Sequence, residues 1–487
     1  MGSLQRHCGL PVAPGGRRCD ELVACRPQGD GWSAAACGMP GKAEVKVDAV
    51  SIGDGRQRSL APARRREPGD WVLQASRLLQ IGVTVEVCFV FLVRRLTMAA
   101  MASVLAACAP APGSEPGVTG TPGVLVSATG SPSSPPAPPP TTSAPPPPPR
   151  EVSINYSGDL LWHNTLWKSA EIDGNGKMDF LPQLAALQDY VSGADVAICH
   201  SEVPFAKEGG PYTGYPMFKA PPVIAPVLSQ IGWDVCTTAS NHSLDAGFDG
   251  LVRTIDDHAA VGILTSGTFA SEEARNTPVI FTTADGVRVG VVSTTFGTNG
   301  IPIPKGKEWS VALMDIDDTL AQAHRARQAG ADVVVVHMHA GTEYDSKPNS
   351  QQVEFAKAMT SSEDVDLVIG QHAHVAQPIT KVNGKWVAYG AGNLIAQSGP
   401  SKPYTFEGYL ATFTFTEQPD GSFQASAAEF VPTFITKHSS GHPARVYIIS
   451  DALASGVGDA SALKASEART RETVLSMGGS DEGLTER

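Results

Sequence analysis

Five short segments of the chain carry side chains able to bind a cation or move a proton, and each lies just beyond a run of apolar residues. They are Gly158-Asp159 with His163, His200-Ser201-Glu202, Ser240-Asn241-His242, His337-Met338-His339 continuing to Glu343, and Gly370-Gln371-His372-Ala373-His374. Carboxylates, a carboxamide and imidazoles, with no thiolate among them, are the oxygen and nitrogen donors that Mn, Fe or Zn centres take. Each segment alone says little, since Gly-Asp is usually a turn and a single His after a strand is usually structural. His372-Ala373-His374 says more, because alternate residues leaving a strand can reach two neighbouring ions while Gly370 permits the turn. The ordered set is far more specific than any member.

The elements that must deliver these residues are legible from the apolar runs. Residues 152–157, 195–200, 234–239, 332–337 and 366–370 read as buried strands. Between them, 181–192, 222–231, 245–260, 315–329 and 351–361 carry helical spacing, and Gly330 ends one of these helices. Alternation of strand and helix implies a mainly parallel sheet covered by helices. In such sheets ligand-binding groups gather at the carboxyl ends of strands, where the five segments stand. Asp285-Gly286 and Asn383-Gly384 read as tight turns of antiparallel hairpins, so the sheets are expected to be mixed.

The chain has 487 residues and a formal net charge of −12, which argues against a nucleic-acid partner. Residues 1–92 show no sustained periodicity and are expected to be unstructured. At 93–107 a charged, apolar and small-residue sequence has the parts of a secretory signal, ending in Leu105-Ala106-Ala107-Cys108, which resembles the bacterial lipobox. Cys108 is therefore the expected lipidation site, and Met1 lies upstream of a more plausible start near Val93 or Met98; a cytoplasmic extension before a membrane anchor is the alternative. Residues 108–150 form a Pro-rich linker, the folded domain is expected at 151–450, and 451–487 is expected to be a mobile tail. Cys199 and Cys236 lie in successive strands, and both a disulfide and two buried thiols are open readings. The segment opening at Asp173 starts like a calcium loop, but Lys177 and Leu184 stand where ligands belong. No P-loop, G-x-S-x-G or H-E-x-x-H pattern occurs.

From Ser153 to Gln397 the sequence resembles the capsule-synthesis proteins of the CapA or PgsA type, associated with poly-γ-glutamate, within the calcineurin-like metallophosphatase superfamily. GDLLWHNTLW at 158–167, MDFLPQL at 178–184, GYPMFKAP at 214–221, TFGTNGIPIP at 295–304 and YGAGNLI at 389–395 carry the resemblance. It implies an α/β fold, a four-layer α/β/β/α sandwich of metallophosphatase type with mixed sheets, and a cleft for two divalent metal ions. By position it makes Asp159, Glu202, Asn241, His339, His372 and His374 metal ligands and His242 the proton donor near the leaving group, with His242 at the cleft rim and free of a buried carboxylate partner. Departures occur where the family's Asn-Leu-Glu is His200-Ser201-Glu202, its Asn-Asn-His is Ser240-Asn241-His242 and its His-Trp-Gly is His339-Ala340-Gly341. His163, His200 and His337 receive no role. The implied protein is a membrane-anchored surface lipoprotein acting on a phosphoester or an anionic polymer, either as a hydrolase or as a non-catalytic binding or export component.

Overall fold

In the computed structural model the described residues are 148–398 and 403–487. The readings placed on 1–92, on the signal at 93–107, on Cys108 and on most of the linker fall outside the described residues. The strands are β1 (Glu151–Leu160), β2 (Val196–Ser201), β3 (Val235–Thr237), β4 (Leu264–Ser266), β5 (Ile280–Thr282), β6 (Arg288–Thr295), β7 (Val333–His339) and β8 (Leu367–Gln371). They continue with β9 (Ile379–Val382), β10 (Lys385–Ala388), β11 (Asn393–Ile395), β12 (Glu407–Glu417), β13 (Phe423–Ile435), β14 (Val446–Ile448) and β15 (Leu484–Glu486).

Two mixed sheets result. One runs β14-β13-β12-β1-β2-β3-β4, with β11 also beside β1 and β15 beside β13; the other runs β5-β6-β7-β8-β10-β9. β1 to β4 are mutually parallel, as are β6, β7, β8 and β10. Every residue of β7 is buried, as expected of a strand covered on both faces. β5 and β9 are antiparallel additions joined through Asp285-Gly286 and Asn383-Gly384. Asn383 and Gly384 both have positive φ, 52° and 79°, the conformation that tight hairpin turns require.

The inner faces pack on each other. Ile154, Tyr156, Val196 and Ile198 from the first sheet share one core cluster with Val289, Val291, Val333, Val335 and Leu367 from the second. Helices Asn164–Asp173 and Ile224–Ile231 cover the far side of the first sheet, while Ile316–Gln328 and Ser350–Ser361 cover the far side of the second. This is the four-layer α/β/β/α sandwich with mixed sheets that the sequence led us to expect.

The expectation of a mobile tail at 451–487 is corrected. Helices Ile449–Ser455 and Ala460–Leu475 form there, and β15 pairs in parallel with β13. Leu463, Val474 and Leu484 are buried, so a thin apolar stripe suffices to dock this Ala- and Ser-rich segment. Cys199 and Cys236 are direct register partners on β2 and β3, with Cα atoms 4.5 Å apart, and are joined as a disulfide. Among the described residues, no helix is long and apolar enough to cross a membrane.

Candidate metal centre

The carboxyl ends of β1, β2, β3, β7 and β8 meet at one edge of the sandwich. β1 reaches it through a backbone irregularity: its pairing with β11 shifts register between Asp159 and Leu160. Gly158 makes this possible, because a Cβ there would lie 2.4 Å from the Gly392 carbonyl oxygen. The Asp159 amide donates to that same carbonyl at 2.8 Å, which fixes the carboxylate above the cleft.

Asp159 is fully buried, and its Oδ2 lies 2.9 Å from His374 Nδ1. The same ring nitrogen lies 3.1 Å from Asn393 Oδ1, and His374 Nε2 is 3.7 Å from Glu202 Oε1. His372 and His374 have φ of 95° and 57°, a left-handed conformation that is rare for non-glycine residues and that turns both rings into the cleft. The His339 ring lies 4.8 Å from that of His372, and its Nε2 is 2.9 Å from Asn241 Oδ1. All six residues that the resemblance made ligands are thus brought into one region. Glu343, not singled out as a ligand in sequence, also groups with His372 and His374.

The polar atoms facing one another here lack partners. Asp159 Oδ1, both Glu202 carboxylate oxygens, His200 Nε2, His339 Nδ1 and His372 Nδ1 are buried without a hydrogen bond. A buried carboxylate without a donor is costly, on the order of several kcal/mol. Cations satisfy such atoms, so this donor set fits divalent metals. Three groups of side chains have ligand atoms within 4.8 Å of one another: Asp159-Glu202-His374, Asp159-His200-His339 and Glu343-His372-His374.

Electrostatics within the cluster follow from burial and neighbours. Burial, with repulsion from nearby imidazoles, pushes His339 and His200 well down and holds His372 at about 3, leaving neutral rings with lone pairs to share. Burial also opposes charge on His374, but Glu202 and Asp159 outweigh it and raise this ring to about 10.

His242 differs from expectation. It lies beside the cluster, near enough to perturb Glu202 and His372, but it is not free of a buried carboxylate. Its Nδ1 is 2.7 Å from Asp245 Oδ2, and Asp245 is 3% exposed. The Phe218 amide donates to the same oxygen at 2.7 Å. Residues 240–246 form turns rather than a strand extension, and that curl brings position 245 back under the ring. The i+3 spacing of His242 and Asp245 is visible in sequence; the turn that gives it meaning is not. His163 lies beside Phe218, its ring centroid 5.4 Å away, and joins none of the three ligand groups. A cleft of about 340 Å³ adjoins the centre past Tyr344 and Val375 and is also lined by Tyr404, Glu407 and Arg469.

Comparison with known proteins agrees with this sequence pattern. Residues 153–398 match the family described as bacterial capsule synthesis protein PGA_cap. The chain is 26% identical over 200 residues to the PGA biosynthesis protein CapA of Bacillus subtilis (strain 168), covering 41% of this chain and 52% of that protein. It is 29% identical over 176 residues to the capsule biosynthesis protein CapA of Bacillus anthracis, covering 35% and 42%. The chain thus spans about half the length of these curated relatives. Among solved structures, the calcineurin-like phosphoesterase YfkN of Bacillus subtilis aligns over 68% of this chain and 99% of that one, at 16% identity and a TM-score of 0.39.

Proposed function

The chain belongs to the bacterial capsule synthesis protein PGA_cap family, and on that premise we propose that it is a metal-dependent hydrolase of phosphoester or related bonds serving capsule or poly-γ-glutamate synthesis. The observation that carries this reading is the convergence of Asp159, Glu202, Asn241, His339, His372 and His374 from five strand ends, with buried ligand atoms left unpartnered. Two divalent ions, Mn, Fe or Zn, when bound would supply Lewis acidity toward a phosphoryl oxygen. The chain's own residues do the rest. Asp159 and Glu202 set a negative site that would hold cations, and the half-exposed Phe296, whose ring centroid is 4.5 Å from that of His372, packs beside that ring. Asp245 accepts from His242 Nδ1–H, which leaves Nε2 as the atom that passes a proton to a departing oxygen.

In this reading the protein is exported and anchored through Cys108, with the Pro-rich linker holding the domain off the membrane. Cys108→Ser should then release it from the membrane fraction; retention of the variant there would remove the anchor from the account. A second reading, a non-catalytic component that binds or exports an anionic polymer, is favoured by one fact: γ-glutamyl polymers contain amide bonds and no phosphate. Metal-loaded protein assayed against generic phosphoesters and poly-γ-glutamate separates the two. Turnover lost with His242→Ala at unchanged metal content supports the hydrolase, whereas polymer binding without turnover supports the second reading.

A further inference from the structure

We propose that His200 is a metal ligand: with Asp159 and His339 it would hold one cation, beside a second cation position among Asp159, Glu202 and His374. The inference rests on the metal-centre reading above and assigns within it a residue to which neither the sequence pattern nor the family resemblance gave a role.

Strand register comes first. β1 and β2 are parallel, and Asp159 pairs directly with His200, so the two side chains leave the first sheet together. The hydrogen-bond pattern then fixes which ring nitrogens are bare. Thr237 Oγ1 donates to the Cys199 carbonyl at 3.3 Å, so it accepts the contact with His200 Nδ1 at 2.9 Å. With the Thr237 hydroxyl donating to that carbonyl, His200 carries its proton on Nδ1 and presents a lone pair at Nε2, which has no hydrogen-bond partner, the arrangement by which outer hydrogen bonds orient metal-binding imidazoles. Asn241 Nδ2 donates to Asn299 Oδ1 at 3.2 Å, which orients the amide so that its oxygen accepts from His339 Nε2. His339 accordingly turns a lone pair inward at Nδ1. Asp159 Oδ2 is occupied by His374, and Oδ1 is not.

Asp159, His200 and His339 thus each offer a ligand atom within 4.8 Å of the others, and Asp159 Oδ1, His200 Nε2 and His339 Nδ1 are all buried without a hydrogen-bond partner. Three ligands sharing one ion at about 2.1 Å stand about 3.4–3.6 Å from one another, so closure by up to roughly 1.3 Å completes the set. Two imidazoles and a carboxylate suit Zn, Mn or Fe. His337 supplies a contrast. Its ring is 4.6 Å from that of His200, it is fully buried, its Nδ1 meets Ser293 Oγ at 2.9 Å and its Nε2 is unpartnered, yet it belongs to no ligand group.

The test is the metal stoichiometry of the full chain, titrated with Zn²⁺ and, for a spectroscopic readout, with Co²⁺. Wild type should take up two ions. His200→Ala should retain one and bind the second at least 100-fold more weakly, with the corresponding Co²⁺ absorption lost, while His337→Ala keeps both. His200→Phe preserves ring volume and deletes the ligand atom, so it serves if the Ala variant does not fold. Two ions bound unchanged by the His200 variants would overturn the inference while leaving the metal centre standing. So would equal loss in His337→Ala, which would mark a general effect of disturbing a buried imidazole. No ion bound by wild type would overturn the metal-centre reading itself.

Discussion

Replacing Glu202 by Gln removes one charge and almost no volume, and its effect on stability should depend on metal. Glu202 is 1% exposed, neither oxygen has a hydrogen-bond donor, and His374 Nε2 stands 3.7 Å away. Burial pushes its carboxyl from the ordinary 4.5 to about 7 against the opposing pull of His374. The fold therefore disfavours the ionised form: this cost is absent below pH 4.5, grows between the two values and is complete above about pH 7. The rise from 4.5 to about 7 corresponds to at most about 3 kcal/mol. At pH 8 with a chelator, Glu202→Gln should be as stable as wild type or more stable by up to that amount. With Mn²⁺ or Zn²⁺ at about 100 times its Kd, each bound ion should stabilise wild type by about 2.7 kcal/mol. That is on the order of 5 °C in a melt, and the variant should gain little of it. Calorimetric melts at pH 8 with chelator and with metal measure both effects. The reasoning is refuted if metal raises the melting temperature of Glu202→Gln as much as that of wild type, or if the variant in chelator falls several kcal/mol below wild type.

Asp245→Asn should keep metal content and lower turnover by about 10²–10⁴, because the amide no longer fixes the His242 tautomer; steady-state kinetics beside metal analysis decides this. His258 is fully buried, stacks on Phe205 and is held by burial at about 4, so it stays neutral in the fold while the unfolded chain takes a proton near 6.5. Its contribution is complete above pH 6.5 and is lost as pH falls toward 4, about 3 kcal/mol in all; urea unfolding in chelator should show His258→Leu losing less stability than wild type between pH 7 and 4.5. Gly158→Ala places a Cβ 2.4 Å from Gly392 O and 2.7 Å from Leu394 N, so it should part β1 from β11 and reduce both melting temperature and metal uptake. Truncation after Ser455 uncovers the surface that buries Val474 and Leu484 and should give aggregated protein in size-exclusion chromatography.

The strands that deliver the site were legible because each is a short, nearly unbroken apolar run followed by chemistry-bearing residues. β7 is the plainest case, four valines and then His337-Met338-His339. β12 and β13 carry the different signature of strands with one partly exposed face, and inward Phe413 and Phe415 among threonines are easily passed over when buried runs are sought. The segment after 450 was misread because its docking stripe is small: Leu463, Ser466, Thr470 and Val474 are its buried helical positions, two of them polar. In the site, spacing brought the right residues together but could not say which ring nitrogen faces inward. That depends on Thr237, Asn241, Asn299 and Asp245, partners chosen by register and turn geometry. His200 was visible as an extra imidazole, but its pairing opposite Asp159 exists only once β1 and β2 are aligned.

The central claim is that one cleft holds two cations among residues from separate strand ends. Anomalous diffraction from crystals of the full chain soaked in Mn²⁺ or Zn²⁺ tests it most directly. The account predicts two peaks about 3.5–4 Å apart, one bounded by Asp159, Glu202 and His374 and the other by Asp159, His200 and His339. Peaks elsewhere on the surface, or none in this cleft at saturating metal, would contradict it.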